Sequence, residues 1–316
     1  MTAIDSVREA SIVRLEPSGK LARLCEVLRA NALPPDAPLA AQRERFEAVT
    51  AKAPLPAGVT YSAVDAGGVR AEWVEPPDAG SAAPTLLYFH GGGYGMGSVN
   101  TIRPLVSQLA VAASARVLSV DYRLAPEHPW PAAVEDAVAA FRWLLEQGVE
   151  PLTVAFGGDS AGGGLTVTSL LAAKDRGLPM PAAGVCISPW ADLTLSSPSL
   201  ERNATTDPEV NRVALARWAE YYLAGTDPRN PLVSPVFGDL SGLPPLLIQA
   251  GTAEAIEDDA VRLAVAAQES GVPVTLELYE GMIHVWHAFA PKLPEATATI
   301  ERVAAWLQGR WSAAPG

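Results

Sequence analysis

The sequence predicts an α/β fold, with a mostly parallel, twisted sheet flanked by helices and a helical cap. The first observation is that short apolar runs alternate with helix-like stretches from about residue 71 onward. Such alternation is typical of parallel βαβ units, which carry helices on both faces of a sheet. The second is that 49% of the 316 residues are hydrophobic, enough for one large core. The third is a long interval between two apolar runs, at 190–244, which leaves room for a cap.

The predicted strands are the apolar runs themselves, at 71–75, 85–90, 115–122, 153–159, 182–188, 245–251 and 275–280. Between them lie stretches with helical apolar spacing, near 101–113, 131–147, 160–175, 210–223, 258–270 and 294–308. Short runs bounded by Gly and Pro indicate buried strands, whereas the longer periodic stretches indicate helices. We see no internal repeat.

Two segments depart from this alternation. Residues 1–55 have helical apolar spacing and many charges, and residues 190–244 form a long excursion that contains one helix-like stretch. Long insertions in an α/β core are often lids or binding elements, and a surface loop without such a role is the alternative. We therefore expect an N-terminal helical cap segment over 1–55 and a main domain over 56–316 with a cap insertion around 190–244.

The charge balance restricts the partners. The net charge of −12 and the pI of about 4.8 argue against a nucleic-acid binder and do not favour an anionic membrane surface. Cys25 and Cys186 do not form a disulfide framework or a CxxC metal site, so a reducing compartment is favoured. The N-terminus lacks the apolar core of a signal peptide, and no run reaches the ~18 apolar residues of a membrane span. We expect a cytoplasmic protein with neither a nucleic-acid nor a membrane partner.

A candidate nucleophile lies in "VAFGGDSAGGG", where Gly158 to Gly162 form a G-x-S-x-G pattern around Ser160. An apolar strand leads into the pattern and an apolar helix leads out, the setting in which a serine occupies a tight, strained turn. The N–H of Ala161 then lies at a helix N-terminus with positive partial charge. The alternatives are a structural glycine-rich turn or a phosphate loop, but the lysine of an NTPase P-loop is absent.

A second glycine-rich stretch, "YFHGGGYGMGS", follows the strand at 85–90. Acyl transfer creates an oxyanion, which preorganised N–H donors stabilise by several kcal/mol. Bare glycine backbone at the end of a neighbouring strand can supply such donors. We therefore expect Gly92, Gly93 and Ala161 to form an oxyanion hole. His90 is expected to hold the loop by hydrogen bonds and to take no part in proton transfer.

Four motifs together resemble one family. "HGGGYGMGS", "DYRLAPEHPWPAAVEDA", "GDSAGGG" and "YEGMIHVWHAF" occur in the order found in the hormone-sensitive-lipase-like, bacterial family IV carboxylesterases. The similarity covers roughly residues 70–310. It implies the α/β-hydrolase fold and ester hydrolysis without a metal or an organic cofactor. It also implies that the stretch around His128 is structural and supports the glycine loop.

The resemblance also directs the choice of base and acid. On this fold the triad follows the chain order Ser, acid, His, and the family's G-M-x-H motif matches His284. His287 is expected to pack the loop or the helix after it. The acid should follow the strand at 245–251, where the family carries D-P-x-x-D. This sequence departs from that pattern, and gapless counting puts Glu254 at the first acid and Asp258 at the second. Glu254 is the preferred acid and Asp258 the alternative.

The expected function is hydrolysis of short- to medium-chain acyl esters by a serine carboxylesterase. The alternatives are a lactone hydrolase or a small-molecule deacetylase with the same triad, and a non-catalytic ligand receptor on the same fold. Both Ser160 and His284 argue against a receptor, which needs neither. The partner is a small-molecule ester, and a homodimer is left open. Four aromatic residues are expected either to line an apolar pocket or to belong to the core: Tyr94, Trp190, Trp218 and Tyr221.

Overall fold

The computed structural model describes residues 3–34, 37–50, 53–80 and 82–312. Nine strands form one sheet in the order β1-β9-β8-β7-β6-β4-β5-β3-β2. They are β1 Ile12–Val13, β2 Thr60–Asp65, β3 Arg70–Glu75, β4 Thr85–Phe89, β5 Arg116–Val120, β6 Val154–Asp159, β7 Ala183–Ile187, β8 Leu246–Gly251 and β9 Val274–Tyr279. All pairs are parallel except β2 with β3 and β3 with β5. The predicted α/β class with a mostly parallel sheet is confirmed.

The helices connect these strands and cover the sheet. They are α1 Ala3–Ala10, α2 Lys20–Ala30, α3 Leu39–Thr50, α4 Val99–Ala113, α5 Ala132–Glu146, α6 Ala161–Asp175, α7 Ser199–Arg202, α8 Arg212–Leu223, α9 Glu257–Glu269 and α10 Pro294–Ser312. Buried side chains of α5, α6 and α9 form one apolar cluster, and those of α4 and α10 form another. The two clusters cover opposite faces of the sheet, as parallel strands require. No described helix has both the length and the apolar character needed to cross a membrane.

Two strands were not predicted, because neither contains an apolar run. β1 is only two residues long, too short for any periodic signal. β2 lies at an edge of the sheet, where Tyr61 and Val64 are half-buried and the other residues are exposed. An edge strand pairs on one side only, so its sequence has less apolar surface to bury.

The N-terminal segment differs in part from the predicted helical cap. Its helices α1, α2 and α3 are present, but β1 between α1 and α2 pairs with β9 and extends the main sheet. A strand forms there because β9 would otherwise present an unpaired edge. Arg8 of α1 forms an ion pair with Glu257 and Asp258 at the start of α9. The first part of the segment therefore belongs to the sheet, and the division into a cap and a main domain remains a prediction.

The insertion at 190–244 contains α7 and α8. Helix α8 buries Leu215, Trp218, Ala219 and Tyr222 on one side. Asn211 begins the helix by accepting a hydrogen bond from the N–H of Ala214, at 3.0 Å. The helix therefore brings an apolar and aromatic face towards the loops at the carboxyl ends of the strands.

We predict that Phe156→Ala lowers the free energy of unfolding by ~3–5 kcal/mol, because the change leaves a cavity in a closed core. Phe156 is fully buried on β6 and packs edge-on against Phe89 and Phe141, with ring centroids 5.8 and 4.8 Å away. Denaturant titration measures the loss. Val213→Ala on the exposed side of α8 is the control and should change stability by less than about 0.5 kcal/mol. Equal effects of the two changes would contradict the assignment of Phe156 to the core.

Candidate active site

Ser160 occupies a sharp turn between β6 and α6. Its backbone has φ 53° and ψ −120°, a conformation that non-glycine residues rarely adopt. Crowding explains the small residues on both sides: a Cβ on Gly158 would overlap the carbonyl of Gly162, and one on Gly162 would overlap the carbonyl of Phe89. The turn leaves Ser160 partly exposed at the end of a buried strand. This is the strained geometry that the G-x-S-x-G pattern predicts.

His284 lies beside the serine. It follows β9 in the chain, and its Nε2 is 2.9 Å from Ser160 Oγ. The side chain is 9% exposed, so it is shielded from solvent while still reaching the hydroxyl. A nitrogen at this distance can accept the serine proton.

Glu254 completes the chain of hydrogen bonds. Its Oε2 is 3.1 Å from His284 Nδ1 and accepts the proton that this nitrogen carries. Its Oε1 accepts hydrogen bonds from Ser188 Oγ at 2.6 Å and from the N–H of Gly251 at 2.5 Å. The carboxyl group is fully buried, yet three donors satisfy it. The structure thus brings together Ser160, His284 and Glu254, the three side chains predicted to form the triad.

Asp258, the alternative acid, lies in a different environment. It occupies the first turn of α9, where it forms ion pairs with Arg8 and Arg202 and accepts a 2.6 Å hydrogen bond from the N–H of Ser199. Its neighbour Glu257 binds the same two arginines. Two guanidinium groups therefore compensate this acidic turn. Among the residues that the structure describes, no group of three or more His, Cys, Asp or Glu side chains could hold a metal ion.

Burial and hydrogen bonding have opposite effects on the pKa values of Glu254 and His284. Burial raises the pKa of Glu254, but the hydrogen bonds from His284, Ser188 and Gly251 favour the ionised carboxylate. Burial also lowers the pKa of His284, and the Glu254 carboxylate outweighs this, so the pKa of His284 is raised. We take the carboxylate as ionised, because all three of its donors stabilise the charged form.

The glycine loop after β4 lies beside the nucleophile turn, since a Cβ on Gly91 would be 3.1 Å from Ser160 Cβ. Neither Gly92 nor Gly93 donates a backbone hydrogen bond to any described residue, and the N–H of Ala161 opens α6, where it has no acceptor within the helix. Gly92 has φ +117°, and a Cβ there would overlap the carbonyl of Met96. Only glycine therefore fits at this position. The three predicted oxyanion donors are thus among the N–H groups that have no acceptor in the described part of the chain.

Two polar residues hold the glycine loop against the nucleophile turn. Asp159, next to Ser160, accepts hydrogen bonds from the N–H of Gly91 and from Tyr88 Oη, both at 3.1 Å. Burial raises its pKa to about 6. His90 Nδ1 is 2.7 Å from the Gly91 carbonyl, and its ring stacks on Tyr122 at 4.2 Å. His90 thus supports the loop.

Arg43 of α3 fastens the outer side of the glycine loop. Its guanidinium donates to the carbonyls of Gly95 at 2.8 Å and Ala125 at 2.9 Å, and it pairs with Glu127 at 2.7 Å. The stretch around His128 thus supports the loop through an arginine from the N-terminal segment, about 80 residues earlier in the chain. No local sequence pattern predicts this contact.

The insertion at 190–244 contacts the loop that carries Glu254. Asn203 donates to the carbonyls of Glu254 at 2.6 Å and Thr252 at 3.0 Å, and Asp207 accepts from the N–H of Ala255 at 2.8 Å. Sequence analysis missed both residues, as it missed Ser188. All three are buried polar side chains whose partners lie about 50 or more positions away.

The four aromatic residues expected at the pocket occupy two environments. Tyr94 and Trp190 are almost completely buried, and Tyr94 stacks on Tyr222 with ring centroids 3.8 Å apart. Trp218 lies over the glycine loop, since a Cβ on Gly93 would be 2.8 Å from its indole ring. Tyr221, next to Trp218 on α8, is half-buried. Trp218 is therefore the aromatic side chain placed directly against the predicted oxyanion loop.

Comparison with known proteins agrees with this architecture. Residues 86–288 match the family model for the alpha/beta hydrolase fold. The chain is 53% identical over 245 residues to an acetyl-hydrolase of Streptomyces hygroscopicus, covering 78% of this chain and 81% of the relative.

Solved structures extend the agreement. The crystal structure of an esterase from the bacterial hormone-sensitive lipase family superimposes with a TM-score of 0.91 at 44% identity, over 94% of this chain and 100% of the other. EstE5, in a crystal soaked with p-nitrophenyl butyrate, gives a TM-score of 0.89 at 45% identity, over 93% and 99% of the two chains. The chain therefore belongs to the α/β-hydrolase family, as a carboxylic ester hydrolase of the hormone-sensitive-lipase-like group.

Proposed function

We propose that the protein is a serine carboxylesterase that hydrolyses short- to medium-chain acyl esters through Ser160, His284 and Glu254. The observation that carries the proposal is the continuous chain of hydrogen bonds, 2.9 Å from Ser160 to His284 and 3.1 Å from His284 to Glu254. A nucleophile, a base in contact with it and a carboxylate orienting the base form the arrangement that acyl transfer needs.

In the first half-reaction Ser160 Oγ attacks the acyl carbonyl carbon while His284 Nε2 takes the hydroxyl proton. The tetrahedral intermediate collapses, the bond to the leaving alcohol breaks, and His284 donates the proton to that alcohol. Water then attacks the acyl-enzyme with the same base, which releases the acid and restores Ser160. Glu254 fixes the tautomer of His284 and stabilises the imidazolium.

The N–H groups of Gly92, Gly93 and Ala161 stabilise the oxyanion in both half-reactions. Within the described part of the chain they have no backbone acceptor to give up when charge develops on the substrate oxygen, so little reorganisation is required at that moment. A lactone hydrolase or a small-molecule deacetylase would use the same groups. The name of the Streptomyces hygroscopicus relative, acetyl-hydrolase, supports the second of these alternatives and a small acyl group.

The test of the proposal is covalent labelling. A p-nitrophenyl alkylphosphonate should label the wild-type protein once, at Ser160, and abolish hydrolysis of p-nitrophenyl butyrate in proportion. Ser160→Ala should be neither labelled nor active, because Ser160 Oγ is the hydroxyl that hydrogen-bonds to His284 Nε2 among the described residues. Peptide mass spectrometry locates the label. Retention of hydrolysis by a folded Ser160→Ala protein would refute the proposed nucleophile.

We predict that kcat/KM is highest for acyl chains of about two to eight carbons, because aromatic side chains of the cap close over the loops. A series of p-nitrophenyl esters of rising acyl length, with lactones and N-acetylated amines alongside, measures the preference. The crystal of EstE5 soaked with p-nitrophenyl butyrate, a four-carbon acyl ester, supports this range. A higher kcat/KM on emulsified long-chain triglycerides than on butyrate esters would contradict it.

We predict that Gly92→Ala lowers kcat by roughly 10²–10³ while changing KM little, because one oxyanion donor is displaced. The added methyl group meets the Met96 carbonyl, so the backbone must shift. Gly80→Ala is the matched control, since nothing lies within 4 Å of a Cβ there. Steady-state kinetics separate kcat from KM. A change in KM alone would mean that the loop binds substrate without stabilising the transition state.

We predict that the acid limb of kcat/KM lies above pH ~6.5, the ordinary pKa of histidine. His284 must be neutral to accept a proton and Glu254 raises its pKa, so activity appears only as pH rises through the raised value. Glu254→Gln removes the charge and should move the limb to lower pH, with kcat reduced by as much as ~10⁴.

The matched control is Asp258→Asn, which removes a carboxylate charge four positions later in the chain, in the first turn of α9. It should leave the position of the limb unchanged, because Asp258 pairs with Arg8 and Arg202. Rate profiles between pH 5 and 10 on variants shown to be folded by circular dichroism make the comparison. A shift with Asp258→Asn and none with Glu254→Gln would transfer the role of the acid to Asp258.

A further inference from the structure

Ser188 lies where three strand ends meet. It follows β7 directly, is 1% exposed and has φ 46°, in the left-handed region. Its N–H donates to the carbonyl of Gln249 on β8, at 2.6 Å. The residue after it is Pro189, which ordinarily pushes the preceding residue towards an extended backbone. A serine in this conformation is therefore held there by its contacts.

The hydroxyl of Ser188 has two hydrogen-bond partners, one on the loop of Glu254 and one on the loop of His284. It donates to Glu254 Oε1 at 2.6 Å and accepts from the N–H of Val285 at 3.1 Å. Val285 is the residue after His284 and also has a left-handed backbone, with φ 46°. One hydroxyl thus joins the loop of the acid to the loop of the base.

We propose that Ser188 is a positioning residue, whose hydroxyl holds the Glu254 carboxylate and the backbone after His284 in one arrangement and takes up part of the carboxylate's negative charge. The inference rests on the proposed function, since it assigns Glu254 and His284 their roles. Ser188 contacts neither the substrate nor the reacting atoms, and acts through Glu254.

Alanine, threonine and glycine, three residues of similar size, do not reproduce these contacts. Alanine supplies neither donor nor acceptor, so the N–H of Val285 would lose its partner and Glu254 would keep only Gly251 and His284. Threonine has the hydroxyl, but a β-branched residue is disfavoured at a left-handed φ. Glycine relaxes the backbone and likewise lacks the hydroxyl.

Several charged groups act on His284 besides Glu254. Asp159 lies on the side of the nucleophile, and Asp207 and Glu209 lie on the insertion at 190–244. His287, on the same loop as His284, is uncharged because burial lowers its pKa to about 3. None of these touches Ser188. Removing the Ser188 hydroxyl therefore changes the effect of Glu254 on the pKa of His284 and leaves the effects of the other charged groups in place.

The experiment compares wild type, Ser188→Ala and Ser188→Gly. The glycine variant relieves the left-handed backbone, so it keeps the test valid if the alanine variant folds poorly. Ser119→Ala is the matched control, because Ser119 is a fully buried serine on β5 whose hydroxyl has no hydrogen-bond partner among the described residues. Thermal melting confirms the fold of each variant.

Two readouts are used. The first is the NMR titration of His284 in protein with ¹³C-labelled histidine, assigned by substituting each of the four histidines in turn. This readout does not depend on any activity. The second is the pH profile of kcat/KM on p-nitrophenyl butyrate.

We expect both Ser188 variants to raise the pKa of His284 and the acid limb by roughly 0.5–1 unit, because a carboxylate that loses a donor attracts the imidazolium proton more strongly. The kcat should fall roughly 10- to 100-fold with KM little changed, because the base is less well oriented. Ser119→Ala should match wild type in both readouts.

A lower kcat with unchanged titration and unchanged acid limb would overturn the proposal and leave Ser188 a purely structural residue. A limb that moves to lower pH would overturn it as well. If the wild type neither hydrolyses esters nor reacts with the phosphonate, the proposed function fails, while the NMR titration still decides whether Ser188 acts on the pair.

Discussion

The left-handed backbone of Ser160 is the constraint on which the rest of the site depends. A chain that turns this sharply from β6 into α6 must have small residues on both sides, and Gly158 and Gly162 supply them. The turn exposes one hydroxyl at the carboxyl edge of the sheet and opens α6 at Ala161. Every other part of the site is arranged around that fixed point. Asp159 holds the glycine loop beside the Ser160 turn by accepting a hydrogen bond from the N–H of Gly91. His284 reaches Ser160 from the loop after β9.

The parallel sheet explains how distant parts of the chain reach this point. The carboxyl ends of parallel strands lie at one edge, so the loops after β4, β6, β8 and β9 become neighbours although they are separated by up to about 190 positions. Helices α4 and α10 on one face and α5, α6 and α9 on the other bury the two faces of the sheet and leave this edge uncovered by them. The fold thus supplies rigid strand ends, and the chemistry depends on the side chains that follow them.

Much of this arrangement could be predicted from the sequence, because strand alternation and the strained serine turn leave local signals. Ser160 and His284 were predicted from motifs and Glu254 from gapless counting, and the structure brings these three side chains into contact. Among the described residues, Gly92 and Gly93 donate no backbone hydrogen bond. The supporting contacts left no such signal. Arg43, Asn203 and Asp207 are ordinary polar residues whose partners are far away in the chain. The edge strands escaped prediction for a different reason, since neither has an apolar run to bury.

The hydrogen bonds that join Asn203 and Asp207 to the loop of Glu254 have a consequence for how the enzyme loses activity on heating. The loop of Glu254, the proposed acid, is held partly by a segment outside the sheet, and such a segment opens locally more easily than a closed core. Inactivation should therefore begin as a reversible local event at the cap, at temperatures where the sheet still gives its full circular dichroism. An engineer who wants a heat-resistant catalyst from this chain gains more by fastening residues 203–207 to the loop beneath them than by repacking the core.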